Sequence, residues 1–328
     1  MMRLMSSWLW YLVAGTMLAI LGCGFQPPCP QSGDTISMVL TFDDGPLSAD
    51  VPPDKKAAAG QTQLDPLRQI LDTLDRRGIR AVFYISGPGM SPDPDTLKPI
   101  FGEGLAAIHE AGHVLGYHGF QHDPAIWAAP LEPPFLALQA IRNDLDQLEQ
   151  FIDDALGPIG LARLDVFTSV FRQPYGGAAI TSHEGRRVVY ERGWVYHGAM
   201  TDSLDWVGHA DVPPDMRDRI LASADNDPVE LVTGQLMSAP QTAGCRPTVD
   251  VLFHVNGLTA DHLDQWIDTL ATAFSEQGHP VVFDVPDSYL SETDPFFDTS
   301  VFGLLLKNNP RPMHHGPIGE DKPPIPPF

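Results

Sequence analysis

The most restrictive feature of this chain is an alternation. Short apolar runs rich in β-branched and aromatic residues occur at 36–42 (ISMVLTF), 80–85 (RAVFYI), 113–117 (HVLGY), 167–171 (VFTSV), 195–200 (VYHGAM), 249–254 (VDVLFH) and 281–284 (VVFD). Longer amphipathic stretches separate them, at 64–77, 96–111, 136–156, 182–193, 214–223 and 260–277. Within 136–156, Leu138, Ile141, Leu145, Leu148 and Ile152 fall at helical spacing. Strands that are apolar almost throughout, each followed by a helix, fit a parallel sheet covered by helices on its outer face. Seven such units over roughly 250 residues predict one α/β barrel rather than two domains.

Around that unit the chain divides into 1–22 as an export signal, 23–35 as a linker, 36–290 as the barrel and 291–328 as a Pro-rich, poorly ordered tail. Stretches 47–63, 86–95 and 239–248 read as surface insertions at the barrel mouth. At the start, Arg3 precedes the apolar run WLWYLVAGTMLAIL (8–21), too short to span a membrane comfortably. The run ends in Gly22-Cys23, which resembles a bacterial lipoprotein box. Lipidation of Cys23 and anchoring to the membrane of a cell envelope are then expected. An ordinary secretory signal or a short uncleaved anchor are the alternatives. Cys29 and Cys245 are either a disulfide, as an exported protein permits, or free thiols. The formal charge of −22 argues against a nucleic-acid partner, which would need clustered Lys and Arg. Oligomeric state leaves no trace in the sequence.

In a parallel barrel, functional residues gather where strands end at the C-terminal face. The first strand ends in Asp43 and Asp44, adjacent carboxylates that repel and are costly to bury unpaired. The third runs into His118 and His122, the fourth into Arg172, Gln173, Pro174 and Tyr175. The fifth is followed by Asp202, Asp205 and Trp206, and the sixth closes on His254. Each has an ordinary reading: a turn, an incidental pair among 12 histidines, a surface ion pair, a core tryptophan, a satisfied core histidine. Together, a carboxylate and two imidazoles with open positions have the form of a catalytic zinc-type centre.

These segments, TFDDGP, H-x-x-x-H, R-x-P-Y-G, D-x-x-D-W and L-x-H, resemble in their order the five motifs of the polysaccharide deacetylases, carbohydrate esterase family 4. The lead-in AGHVLGYH (111–118) is similar to that family's as well, and the resemblance spans roughly 36–290. It implies a distorted (β/α)7-8 barrel. It implies Asp43 as general base, held by Arg172, and Asp44, His118 and His122 as ligands of a divalent metal, zinc first, with cobalt, nickel or manganese possible. The Tyr175 backbone N–H, beside Pro174, would meet an oxyanion. His254 would be the general acid, oriented by Asp205, with Trp206 and Leu252 as apolar walls. The Gly45-Pro46 turn is expected to leave both aspartates exposed at the barrel mouth.

The implied activity is metal-dependent removal of N-acetyl groups from a chitin- or peptidoglycan-like glycan. O-acetyl ester hydrolysis on xylan or exopolysaccharide, or hydrolysis of a small amide, would use the same residues. A catalytically inactive, glycan-binding envelope scaffold is a reading of another class, with Trp127, Trp194 and Trp206 as candidate groove aromatics. Three departures from the family pattern stand out: Gly119 where a hydroxyl residue is common, Gln173 for a proline, and Val255-Asn256 where an acid commonly follows the last histidine.

Overall fold

A computed structural model describes residues 29–48, 63–89, 91–127, 134–176, 183–208, 214–224, 226–243 and 246–291. The signal, Cys23, Cys245, the tail after 291 and most of 47–63 lie outside the described residues. Among the described residues no helix is long and apolar enough to cross a membrane. Cys29 is disulfide-bonded, and its partner is not among the described residues.

Eight strands form one parallel sheet: β1 (Ile36–Gly45), β2 (Val82–Ser86), β3 (Val114–Gly119), β4 (Phe167–Phe171), β5 (Val195–Tyr196), β6 (Thr201–Asp202), β7 (Thr248–His254) and β8 (Val281–Phe283). The order is β5-β4-β3-β2-β1-β7-β6. β1 pairs β7 along Ser37–Asp43, β8 through Ile36–Met38 and β2 from Thr41 onward. The main helices are α1 (Asp65–Arg77), α2 (Lys98–Glu110), α3 (Pro134–Leu156), α4 (His183–Glu191), α5 (Pro214–Leu221), α6 (Pro228–Met237), α7 (Gly257–Glu276) and α8 (Asp287–Ser291).

Helix ends follow local chemistry. Gly78 closes α1 in the left-handed conformation (φ 64°), as a C-terminal glycine does readily. Asn256 caps α7 by accepting from Thr259 N at 2.7 Å. Asp227 caps α6, a helix the sequence reading missed although Asp-Pro is a proper start signal.

Strand alternation sorts the core into two layers. Met38, Leu40 and Phe42 pack outward against the helices, with Phe83, Ile85, Leu115, Val251 and Phe253. Val39, Val82, Val114 and Val170 face inward with Tyr84. The same parity turns Thr41, Asp43, Asp250 and His254 inward too, so the strand ends deliver polar groups to the lumen.

The sheet must curl to satisfy its own bonds. Arg172, just after β4, lies four strands from β7, which in a flat sheet would be about 19 Å. Yet its Nη2 donates to Asp250 Oδ2 at 2.7 Å and its Nη1 to Asp43 Oδ1 at 3.1 Å. The expected (β/α) barrel is therefore borne out. Its edge strands β5 and β6 do not pair with each other among the described residues. Where one strand was predicted over 195–200, only 195–196 is strand, and a second short strand follows at 201–202 on the opposite edge of the sheet. His197 still bonds to β4, and Gly198–Met200 cross the seam on side chains of the lumen. His197 N donates to Phe171 O (2.8 Å), Gly198 O accepts from Arg172 (3.0 Å) and Met200 N donates to Asp250 Oδ1 (2.9 Å).

Asp250 thus serves both the seam and a buried guanidinium. Asp250→Ala is expected to destabilise the fold by about 3 kcal/mol, the lower end for breaking a buried pair, since Arg172 keeps Asp43. Urea denaturation of the purified variant checks this; an unchanged midpoint would contradict it.

Candidate metal centre

The adjacent aspartates go to different surroundings. Asp43 continues the inward parity of β1 and is 3% exposed, so the expectation that both would sit exposed fails for it. The reason is Arg172: a lumen guanidinium gives Asp43 a partner that makes burial tolerable. Thr41 Oγ1 accepts from the same Nη1 at 2.5 Å, fixing the fork from below. Asp44 breaks the strand with φ 63°, which rotates its side chain away from its neighbour toward the mouth. There Oδ1 lies 3.5 Å from His118 Nε2 and 3.2 Å from His122 Nε2, and accepts from Ser86 Oγ at 3.0 Å.

His118 Nδ1 donates to Arg172 O at 2.9 Å, and burial pushes the imidazole pKa down despite the nearby carboxylates. The ring is thus neutral, with the Nε2 lone pair facing Asp44 Oδ1 and Asp43 Oδ2, each 3.5 Å away, where acceptor meets acceptor. A cation resolves that conflict. The donor atoms of Asp44, His118 and His122 lie within 4.8 Å of one another. A tetrahedral zinc site with bonds near 2.05 Å has donors about 3.3 Å apart, which the two Asp44 spacings match. The residues fit a divalent ion.

Opposite stands a second pair. His254 Nδ1 is 2.7 Å from Asp205 Oδ1, and His254 Nε2 is 4.0 Å from Asp44 Oδ2. Burial disfavours the charged ring, but Asp205 outweighs it, and the His254 pKa is pushed up to about 10. Asp205 stays ionised because burial is overcome by His254 and by hydrogen bonds, and its pKa is lowered. Its Oδ2 accepts from His254 N (2.7 Å), from Asn256 Nδ2 (3.2 Å) and from Thr259 Oγ1. The Val255-Asn256 departure therefore leaves an amide, not an acid, bracing this pair.

Around these groups, Leu252 and Trp206 are half-buried, and the Trp206 indole N–H donates to Asp202 Oδ2 at 3.2 Å. Pro174 is buried, and Tyr175 takes φ 63° with its side chain 47% exposed and its hydroxyl donating to His122 O at 2.8 Å. Trp127 and Trp194 are core residues, 0% and 4% exposed, which removes two of the three aromatics offered for a binding scaffold. Trp194 stacks on Tyr117 at 4.1 Å between ring centroids. The residues named from the sequence lie together here; their supports Thr41, Ser86, Thr259 and Asp250 were not named, and Asn256 was named only as a departure from the family pattern. Only Asp250 carried a signal, as an acid inside an otherwise apolar strand.

Residues 31–187 match the family model described as polysaccharide deacetylase. Among curated proteins, the chain is 23% identical over 170 residues to YheN of Bacillus subtilis, covering 52% of this chain and 46% of that protein. It is 24% identical over 180 residues to the peptidoglycan-N-acetylglucosamine deacetylase PgdA of Listeria monocytogenes, covering 55% of this chain and 29% of that one. The chain thus spans less than half the length of these relatives. Among solved structures, it resembles the Bc1960 peptidoglycan N-acetylglucosamine deacetylase with 20% identity, TM-score 0.48, 81% of this chain and 93% of that chain covered. The Bacillus anthracis pseudoenzyme BA3943 gives 17% identity, TM-score 0.48, 82% of this chain and 71% of that one.

If three donors hold one ion, removing any of them should cost more than an outer support does. Asp44→Asn and His122→Ala are each expected to weaken cobalt(II) binding by more than about 100-fold, beyond the range of outer-shell changes. Titration followed by visible absorption measures it, and wild-type affinity in either variant would refute the assignment.

Proposed function

With residues 31–187 belonging to the polysaccharide deacetylase family, we propose that this protein is a metal-dependent hydrolase removing N-acetyl groups from an N-acetylated glycan of the chitin or peptidoglycan kind. The observation that carries the reading is the grouping of Asp44 with both imidazoles, with Asp43 on Arg172 by one oxygen and 3.5 Å from His118 Nε2 by the other, and the His254–Asp205 pair opposite.

Amides are poor electrophiles, so hydrolysis needs an activated water, a stabilised tetrahedral oxyanion and a protonated leaving amine. A divalent ion held by Asp44, His118 and His122, zinc first, with cobalt, nickel or manganese as alternatives, supplies Lewis acidity toward the carbonyl and acidifies water. Asp43, held by Arg172, takes the proton of the attacking water. The Tyr175 N–H faces the developing oxyanion. His254, protonated through neutral pH by Asp205, gives its proton to the amine nitrogen as the C–N bond breaks. The products are acetate and a free amine, and the proton on Asp43 restores His254. Leu252 and Trp206 wall the acetyl methyl. In the same reading the protein is exported and held to an envelope membrane through a lipidated Cys23.

The test is acetate release from chitooligosaccharide, peptidoglycan and acetylxylan, with zinc or cobalt and with chelator. Chelator-sensitive release is expected from an N-acetylated glycan ahead of acetylxylan. Asp43→Asn should lower the rate by about 10²–10⁴ while metal binding survives. No acetate from any of the substrates would sink the proposal.

A further inference from the structure

His122 stands on a short loop, 119–122, that must be held if the ring is to point at Asp44. The backbone groups of that loop are taken up from several directions. Gly119 O accepts from Gly87 N at 2.9 Å, Phe120 O from Gly89 N at 3.1 Å and His122 O from the Tyr175 hydroxyl at 2.8 Å. The approach of the 87–89 segment requires glycine, since a Cβ on Gly87 would fall 2.2 Å from Phe120 Cδ2.

Two further loop donors end on a single side chain. Phe120 N donates to Asp144 Oδ2 at 2.7 Å and Gln121 N to Asp144 Oδ1 at 2.9 Å. Asp144 lies on α3 between Ile141 and Leu145, on the face that packs into the core, and is 2% exposed. Burial raises its pKa, while the two loop amides favour the ionised form. A carboxylate on the apolar stripe of a helix is costly there unless its oxygens are satisfied, and the loop amides satisfy them. Residue 119 itself offers no side-chain brace: Gly119 has φ +122°, and a Cβ on it would meet Pro174 Cγ at 3.2 Å and Asp144 Oδ2 at 3.3 Å. A side chain at 119 would therefore be strained.

We propose that Asp144 is the positioning residue of the ion site: its two-oxygen grip on the Phe120 and Gln121 amides fixes the loop that aims His122 at Asp44. This rests on the metal reading above. Ion sites tolerate donor errors of only about 0.2 Å, so a loop freed at two amides loses affinity before it loses its fold.

The experiment is a cobalt(II) titration of wild type, Asp144→Asn, Asp144→Ser and Asp146→Asn, an exposed acid on the same helix. Both Asp144 variants are expected to bind cobalt about 10–100-fold more weakly, with altered visible absorption at saturation and wild-type far-ultraviolet circular dichroism. Asp146→Asn should bind as wild type does. Equal affinity in a folded Asp144 variant overturns the proposal, whereas a wild type that binds no cobalt overturns the metal reading beneath it. Should neither variant fold, hydrogen exchange on metal-free wild type decides: slow exchange at Phe120 and Gln121 supports the grip, and free exchange there refutes it.

Discussion

The site depends on one buried cation. Arg172 is 3% exposed and reaches across the lumen to Asp43, Asp250, Thr41 and Gly198 O, with its guanidinium carbon 4.3 Å from the centroid of the Tyr84 ring. Removing a guanidinium from water is expensive and is offset only when its donors find good acceptors. Here those acceptors come from β1, from β7 and from the segment crossing the open seam. The same contacts that neutralise Arg172 therefore draw the sheet into a barrel. They also let two adjacent carboxylates coexist, because Asp43 has Arg172 on one oxygen and His118 near the other, while Asp44 lies between both histidines.

Parity then does most of the assembly. Along β1 the outward positions are apolar and pack on helices, while Val39, Thr41 and Asp43 step inward and upward. On β7, Asp250 and His254 share that phase, and the register Asp43↔His254 puts proposed base and acid on neighbouring strands. A one-residue slip would turn both into the helix layer. Positive backbone angles finish the work where strand geometry ends, at Asp44, His122 and Tyr175. Strained residues of this kind concentrate at functional sites.

Much of this was legible beforehand. Long elements with a clear period, such as β1, α3 and α7, are announced by their own residues, and so are polar groups at strand ends. The crossing at 197–200 was not legible, because VYHGAM has strand-like composition, and only Asp250 and Arg172, distant in sequence, draw its middle into the lumen. Trp127 and Trp194 were misjudged because an aromatic residue reads alike in a groove and in a core. The burial of Asp43 could not be read either, since it depends on a partner 129 positions along the chain. Asp144 was visible in principle: an acid between Ile141 and Leu145 interrupts the stripe used to identify its helix.

Arg172 is expected to keep Asp43 out of the ion's ligand shell while Asp44 enters it. Anomalous diffraction from crystals grown with zinc tests this most directly. One ion bonded to Asp44, His118 and His122 is expected, near 2.0–2.2 Å, with Asp43 still on Arg172. An ion bonded to Asp43, or one bound with Arg172 turned away from Asp43, would refute this division of roles.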